Sequence, residues 1–137
     1  MVISEKFLFS AGAEVKEYNS GDVIFQKGET PSYYYQIIKG KVKLDHFNKE
    51  GKEQVQKIIA EGESFGESLL FIGRAYPMEA VALEPCSVIR LYRINFFNML
   101  DIYPRLYFNL CRDLSNCLYY ASGQFITGTG SLIGKSI

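Results

Sequence analysis

The chain has 137 residues, 47% of them hydrophobic and 22% charged, which suits one globular domain with a single core and is too short for two sizeable ones. Fifteen Lys and Arg balance fifteen Asp and Glu, so no broad basic face for nucleic acid or anionic lipid is expected. The longest uncharged apolar run, residues 68–73, is far below the roughly 20 residues that cross a bilayer, and Glu5 and Lys6 interrupt the apolar start in a way no secretory signal does. The expected location is the cytoplasm, away from membranes.

After Gly21-Asp22, glycines recur at positions 28, 40, 51 and 62, the turn spacing of successive strands in a sandwich or barrel. Val23 to Phe25 is the first apolar segment between them. Tyr33 to Ile38 follows, and strand alternation sends its neighbouring tyrosines to opposite faces. In Lys41 to Phe47, Val42, Leu44 and His46 alternate with Lys41, Lys43 and Asp45, which predicts a half-buried strand with the first set inward. Asn48 to Gly51 makes a polar turn into a segment around Val55 to Ile59. A later strand, Ser87 to Tyr92, places Ile89 and Leu91 on one face.

Between these strands lies Gly62-Glu63-Ser64-Phe65-Gly66-Glu67-Ser68-Leu69-Leu70-Phe71-Ile72-Gly73. Gly66 permits close backbone approach, and the apolar residues after Ser68 form about one helical turn that Gly73 can end. The first amides of such a helix lack partners and carry partial positive charge, so they can hold a small anion if they open into a cleft. Glu67 beside them can accept from a sugar hydroxyl. An alternative reading of Ser64-x-x-Glu67 is a capping box, in which Glu67 satisfies only a backbone amide.

From Asn95 the pattern changes to long apolar stretches without glycine until Gly123, divided by Pro104. This predicts a helix near Ile94 to Ile102 and a longer one from Pro104 to about Ser122. Along the latter, Tyr107, Leu110, Cys111, Leu114, Cys117, Leu118 and Ala121 form one apolar stripe, with Phe108, Tyr119 and Tyr120 off it. The stripe packs on its own domain or meets the same helix of a second copy; the apolar excess favours a homodimer. The folded domain is expected over residues 1–122, and residues 123–137, rich in Gly, Ser and Thr, as a flexible tail.

Phe65-Gly66-Glu67 and Ala80-Val81-Ala82-Leu83-Glu84, set between glycine-punctuated strands and two final helices, resemble the cyclic nucleotide-binding domain. The similarity covers about residues 13 to 122 and is to the sensor half of Crp/Fnr-type bacterial transcription regulators. It implies a mainly β fold, a double-stranded β-helix jelly roll followed by a long dimerisation helix, with Gly66 to Tyr76 as the phosphate-binding cassette. By that resemblance Gly66 and Ser68 offer amides to a cyclic phosphate, Glu67 takes the ribose hydroxyl, and cyclic AMP or cyclic GMP is the candidate effector. The family's cassette arginine would fall on Tyr76, with Pro77 next, and neither supplies a cation. Losing one charge-assisted bond of about 1.5–3 kcal/mol weakens an anion by roughly tenfold to over a hundredfold. Arg74 is the nearest candidate to reach across; the alternative is that Tyr76 packs over the cassette and closes the pocket.

Regulators of this kind continue into a DNA-reading helix-turn-helix; DNA contact would need an extension absent from this chain. The reading is therefore a regulatory domain that senses a small anionic effector and signals through a dimer helix. A ligand-independent dimerisation or protein-interaction module with a degenerate pocket is the alternative. No enzyme is expected. The stretch from Gly128 to Ser136 only imitates a P-loop, with Thr129 where the first glycine belongs, and one histidine, His46, is too few for a cupin-type metal site. Cys86, Cys111 and Cys117 show no CxxC spacing, so reduced, mostly buried thiols are expected, with neither disulfide nor metal.

Overall fold

The computed structural model describes residues 3–47 and 50–129. In chain order it contains α1 (Glu5–Ser10), β1 (Glu14–Tyr18), β2 (Val23–Phe25), β3 (Tyr33–Lys39), β4 (Val42–Phe47), β5 (Glu53–Ile59) and β6 (Ser64–Phe65). There follow α2 (Glu67–Ile72), β7 (Glu79–Ala82), β8 (Cys86–Tyr92), α3 (Arg93–Ile102) and α4 (Pro104–Thr129). Two four-stranded antiparallel sheets, β1-β8-β3-β6 and β2-β7-β4-β5, face each other as a jelly roll, with the helices on the outer side of the first.

Two cores result. One lies between the sheets and holds Phe25, Tyr35, Phe65, Leu69, Tyr76 and Val88; the other lies under the helices and holds Leu8, Tyr34, Leu70, Ile89, Leu91 and Phe96. The first sheet is thus covered on both faces, which is why consecutive residues Tyr34 and Tyr35 are both buried although they point oppositely. Ile89 and Leu91 share the helical face, as their spacing requires.

The expected alternation in β4 holds at Val42 and Leu44 and fails at Asp45, which is buried while His46 is half-buried. The pairing with β5 shifts between Leu44 and Asp45, a bulge that breaks the strict two-residue period, and Lys43 Nζ at 3.0 Å supplies the countercharge Asp45 needs in that position.

Pro104 does open α4, but the helix runs on to Thr129 rather than stopping near Ser122. One glycine inside a helix costs only about 1 kcal/mol, so Gly123 alone does not end it. Residues 130–137, with most of the P-loop-like stretch, lie outside the described residues.

Candidate functional site

The site forms where β6 leaves the first sheet. Gly66 caps α2 in the left-handed region at φ 76°, ψ 2°, turning the chain from strand to helix within one residue. At the other end Gly73, also left-handed, donates its N–H to Leu69 O at 2.9 Å and closes the helix. Leu69 enters the roll core and Leu70 the helical core, so α2 is pinned between the two; Phe71 and Ile72 remain exposed.

The capping box does not form. Ser64 lies in β6, the N-cap is Gly66 without a side-chain bond, and the Ser64 hydroxyl donates instead to Glu67 Oε1 at 3.1 Å. The Glu67 carboxylate therefore stands at the first turn of α2 with a side-chain partner, half-buried rather than spent on a backbone amide.

Opposite Gly66 there is no open cleft; Tyr76 packs over the cassette, the alternative reading of that position. A Cβ on Gly66 would lie 3.2 Å from Tyr76 Cε1 and 3.3 Å from Phe25 Cε2. The Tyr76 ring stacks on Phe25 with centroids 3.6 Å apart and planes within 7°, and Phe25, Tyr35 and Phe65 continue the aromatic layer. Without a cation at this position nothing draws the side chain toward an anion, and the apolar ring is buried by the hydrophobic effect. The Tyr76 backbone is fixed by the β2–β3 loop: its N–H donates to Glu29 O at 3.1 Å, and its carbonyl accepts from Gly28 N–H at 2.8 Å. Any opening of the site is accordingly a rotation of the side chain.

That ring carries a buried polar group. Tyr76 is 2% exposed and its hydroxyl has no hydrogen-bond partner. Burial first, then the nearby carboxylates of Glu29 and Glu67, push its phenol above the ordinary pKa.

Gly66, Glu67 and Tyr76 come together; the side chains of Ser68, Arg74 and Pro77 are exposed. Arg74 sits beyond the C-terminal end of α2, just after Gly73, away from the helix start where an anion would dock. Phe25 and Glu29 escaped the sequence reading because only the closing of β2 against β7 and the following loop brings them to the cassette. A third residue missed was Arg90. It faces the roll interior in the same row as Tyr35 and Phe65 and lies over the Tyr33 ring at 4.5 Å, but is paired with Glu14 across β1.

The predicted stripe on α4 divides. Leu110 is buried in the domain's own core together with Leu106, which is not among the stripe residues, and Tyr107 is half-buried with its hydroxyl donating to Asp101 Oδ1 at 3.1 Å. Leu114 is half-buried, whereas Cys111, Cys117 and Leu118 are exposed, as are Phe108, Tyr119 and Tyr120. The side chain of Ala121 lies outside the described set. The expectation of mostly buried thiols is thus corrected: Cys86 is buried, but Cys111 and Cys117 are free and exposed, because α4 outruns the core it covers.

A jelly roll with a short helix pinned between its two cores and an elbow of two C-terminal helices is the architecture of a cyclic nucleotide-binding domain. The chain belongs to the cyclic nucleotide-binding domain family, whose model matches residues 15–103, and it has the form found in Crp/Fnr-type regulators. An uncharacterized protein of Haemophilus influenzae is 28% identical over 76% of this chain and 81% of its own length. The cAMP-activated global transcriptional regulator CRP of Pasteurella multocida is 26% identical over 85% of this chain and 56% of its own. The crystal structure of the Thermus thermophilus catabolite activator protein superposes with a TM-score of 0.81 at 26% identity, covering 88% of this chain and 56% of that one. The chain therefore spans about half the length of the named regulators. Among the described residues no helix is long and apolar enough to cross a membrane.

Proposed function

We propose that this chain is the sensor portion of a Crp/Fnr-type transcription regulator: a small anionic effector docks at Gly66, Glu67 and Ser68, and the signal passes through α3 and α4 to a second copy. The observation that carries the reading is α2 itself, a six-residue helix launched from a left-handed glycine beside the roll interior, with a carboxylate at its first turn. The effector takes the place now held by the Tyr76 ring, which swings out and relieves its unpartnered hydroxyl.

A thermal-shift titration with cyclic AMP and cyclic GMP tests this. Ligand at a hundred times its Kd stabilises a fold by about 2.7 kcal/mol, several degrees for a domain of this size. Absence of any shift at millimolar concentration, in the wild type and in Tyr76→Ala alike, sinks the nucleotide version. The tight Phe25–Tyr76 stack then favours the second reading, a ligand-independent dimerisation or interaction module.

Both readings use the exposed end of α4. Leu118 is 70% exposed, beside Tyr119 and Tyr120, more apolar surface than a lone helix end ordinarily leaves in water. Leu118→Asp is expected to convert a dimer into a monomer in sedimentation velocity without lowering the melting temperature of the monomeric domain. An unchanged sedimentation coefficient removes this end of the helix from the interface.

A further inference from the structure

Arg74, which stands away from the start of α2, belongs to a different surface. Gly73 closes α2 beside the first residue of α3: a Cβ on Gly73 would lie 4.0 Å from the Arg93 guanidinium, so Arg93 reaches the residue that precedes Arg74. Arg93 also lies over the Phe97 ring at 5.9 Å, and Phe97 meets Phe71 of α2 edge-on at 5.5 Å. The end of α2 and the start of α3 thus form one continuous face. A shallow depression of about 310 Å³ opens in it, lined by Tyr92, Arg93, Ile94 and Phe97.

This face is apolar and positively charged at once. Ile72 and Ile94 are 61% and 60% exposed, and Phe71 and Tyr92 are exposed beside them. Single exposed apolar side chains are ordinary, but several that adjoin one another form the kind of patch that marks a contact surface. Among the described residues neither Arg74 nor Arg93 has a carboxylate partner, and no acidic residue stands in the first turn of α3. The backbone beneath is fixed. Leu69 and Leu70 anchor α2 in the two cores, and the Arg93 N–H donates to Ser32 O at 2.8 Å. The surface is therefore formed before any partner arrives, which lowers the ordering cost of binding.

We propose that this face docks a partner protein through a short acidic segment carrying aliphatic or aromatic side chains. The apolar side chains of that segment cover Ile72, Ile94 and the depression beside Phe97. Its carboxylates pair with the two guanidiniums, whose planar forks suit a carboxylate bidentately. Charge complementarity selects this occupant. A second copy of the chain fits poorly, because the exposed α4 residues Phe108, Leu118, Tyr119 and Tyr120 bring no carboxylate, and Asp113 stands 3.7 Å from Arg112 of its own helix. Nucleic acid fits poorly too: its phosphates call for a row of cations and would leave both isoleucines uncovered. The inference does not rest on the effector reading, since both arginines stand at the opposite end of α2 from Gly66.

Fluorescence anisotropy with the full chain and a short labelled peptide of alternating aspartate and leucine tests the proposal; the control peptide carries lysine for aspartate. Saturable binding of the acidic peptide and none of the basic one is expected. Arg74→Glu and Arg93→Glu should each weaken it about fivefold, the upper range for an exposed ion pair. Ile94→Ser should weaken it about tenfold, from the loss of a covered aliphatic side chain. Arg105→Glu, beyond the far end of α3, should leave it unchanged. Each of these positions is exposed, so unchanged melting temperatures verify that the variants fold. No binding at about 1 mM peptide, equal binding of the two peptides, or wild-type affinity in both Arg74→Glu and Arg93→Glu overturns the proposal. Binding to phosphatidylglycerol vesicles in place of the peptide overturns it as well, and would make the face a lipid contact.

Discussion

Gly40→Ala is expected to lower the unfolding free energy by about 3–5 kcal/mol, from a disfavoured backbone region combined with overpacking. Gly40 joins β3 to β4 at φ 99°, and an added Cβ would meet Cys86 Sγ at 2.6 Å, Pro85 O at 2.7 Å and Cys86 Cα at 3.0 Å. Two of those contacts are backbone atoms, and the third cannot swing aside easily. The Cys86 thiol is held at that corner by bonds to Lys41 O at 3.2 Å and Glu84 O at 3.0 Å. Gly62 provides the control: it has a similar φ of 81° but open space around it, so Gly62→Ala should cost only the backbone preference, about 1–2 kcal/mol. Urea denaturation compares the two. Equal midpoints would mean that the corner relaxes and that the close approach at Gly40 is not a constraint.

The Tyr76 position should separate stability from binding. Tyr76→Phe keeps the stack on Phe25 and deletes a buried hydroxyl that has no partner, so it is expected to stabilise the free domain by about 1–2 kcal/mol. Tyr76→Arg does the reverse. The stacked ring is lost and a guanidinium must be accommodated beside Glu29 and Glu67, at a cost of about 2–4 kcal/mol to the free domain. In exchange, the cassette regains a cation for an anionic effector. Its affinity for cyclic AMP should rise by roughly tenfold to over a hundredfold, the worth of one charge-assisted hydrogen bond. Calorimetric titration and melting curves with and without ligand check both halves. A destabilised Tyr76→Phe would show that the hydroxyl does have a partner in solution, and an unimproved Tyr76→Arg would show that anions do not dock at Gly66.

The elements legible in the chain were those whose neighbours in sequence are also their structural determinants. β2, β3, β4, β8 and the two C-terminal helices declare themselves through alternation, helical spacing and Pro104. Gly66 and Gly73 mark both ends of α2 because only glycine enters the left-handed region cheaply. β1 left little trace: most of its side chains are exposed, Val15 among them, and an edge strand without a buried face has no hydrophobic period to read. The six-residue α1 is held by Gln36 and by the helical core rather than by its own propensity.

The candidate site divides in the same way. Residue types and spacing by themselves determined the glycine-launched helix, the carboxylate at Glu67 and the apolar surplus on the last helix; the family resemblance added that Tyr76 stands where an arginine is usual. Tertiary structure alone decided that Tyr76 lies on Phe25 and fills the space before Gly66, that Glu67 pairs with Ser64 instead of capping α2, and that Leu110 faces inward while Leu118 faces water. The reason is range. A turn or a helical period is set by backbone sterics over a few residues, whereas occupation of a pocket depends on which distant side chains the closing of two sheets brings into van der Waals contact.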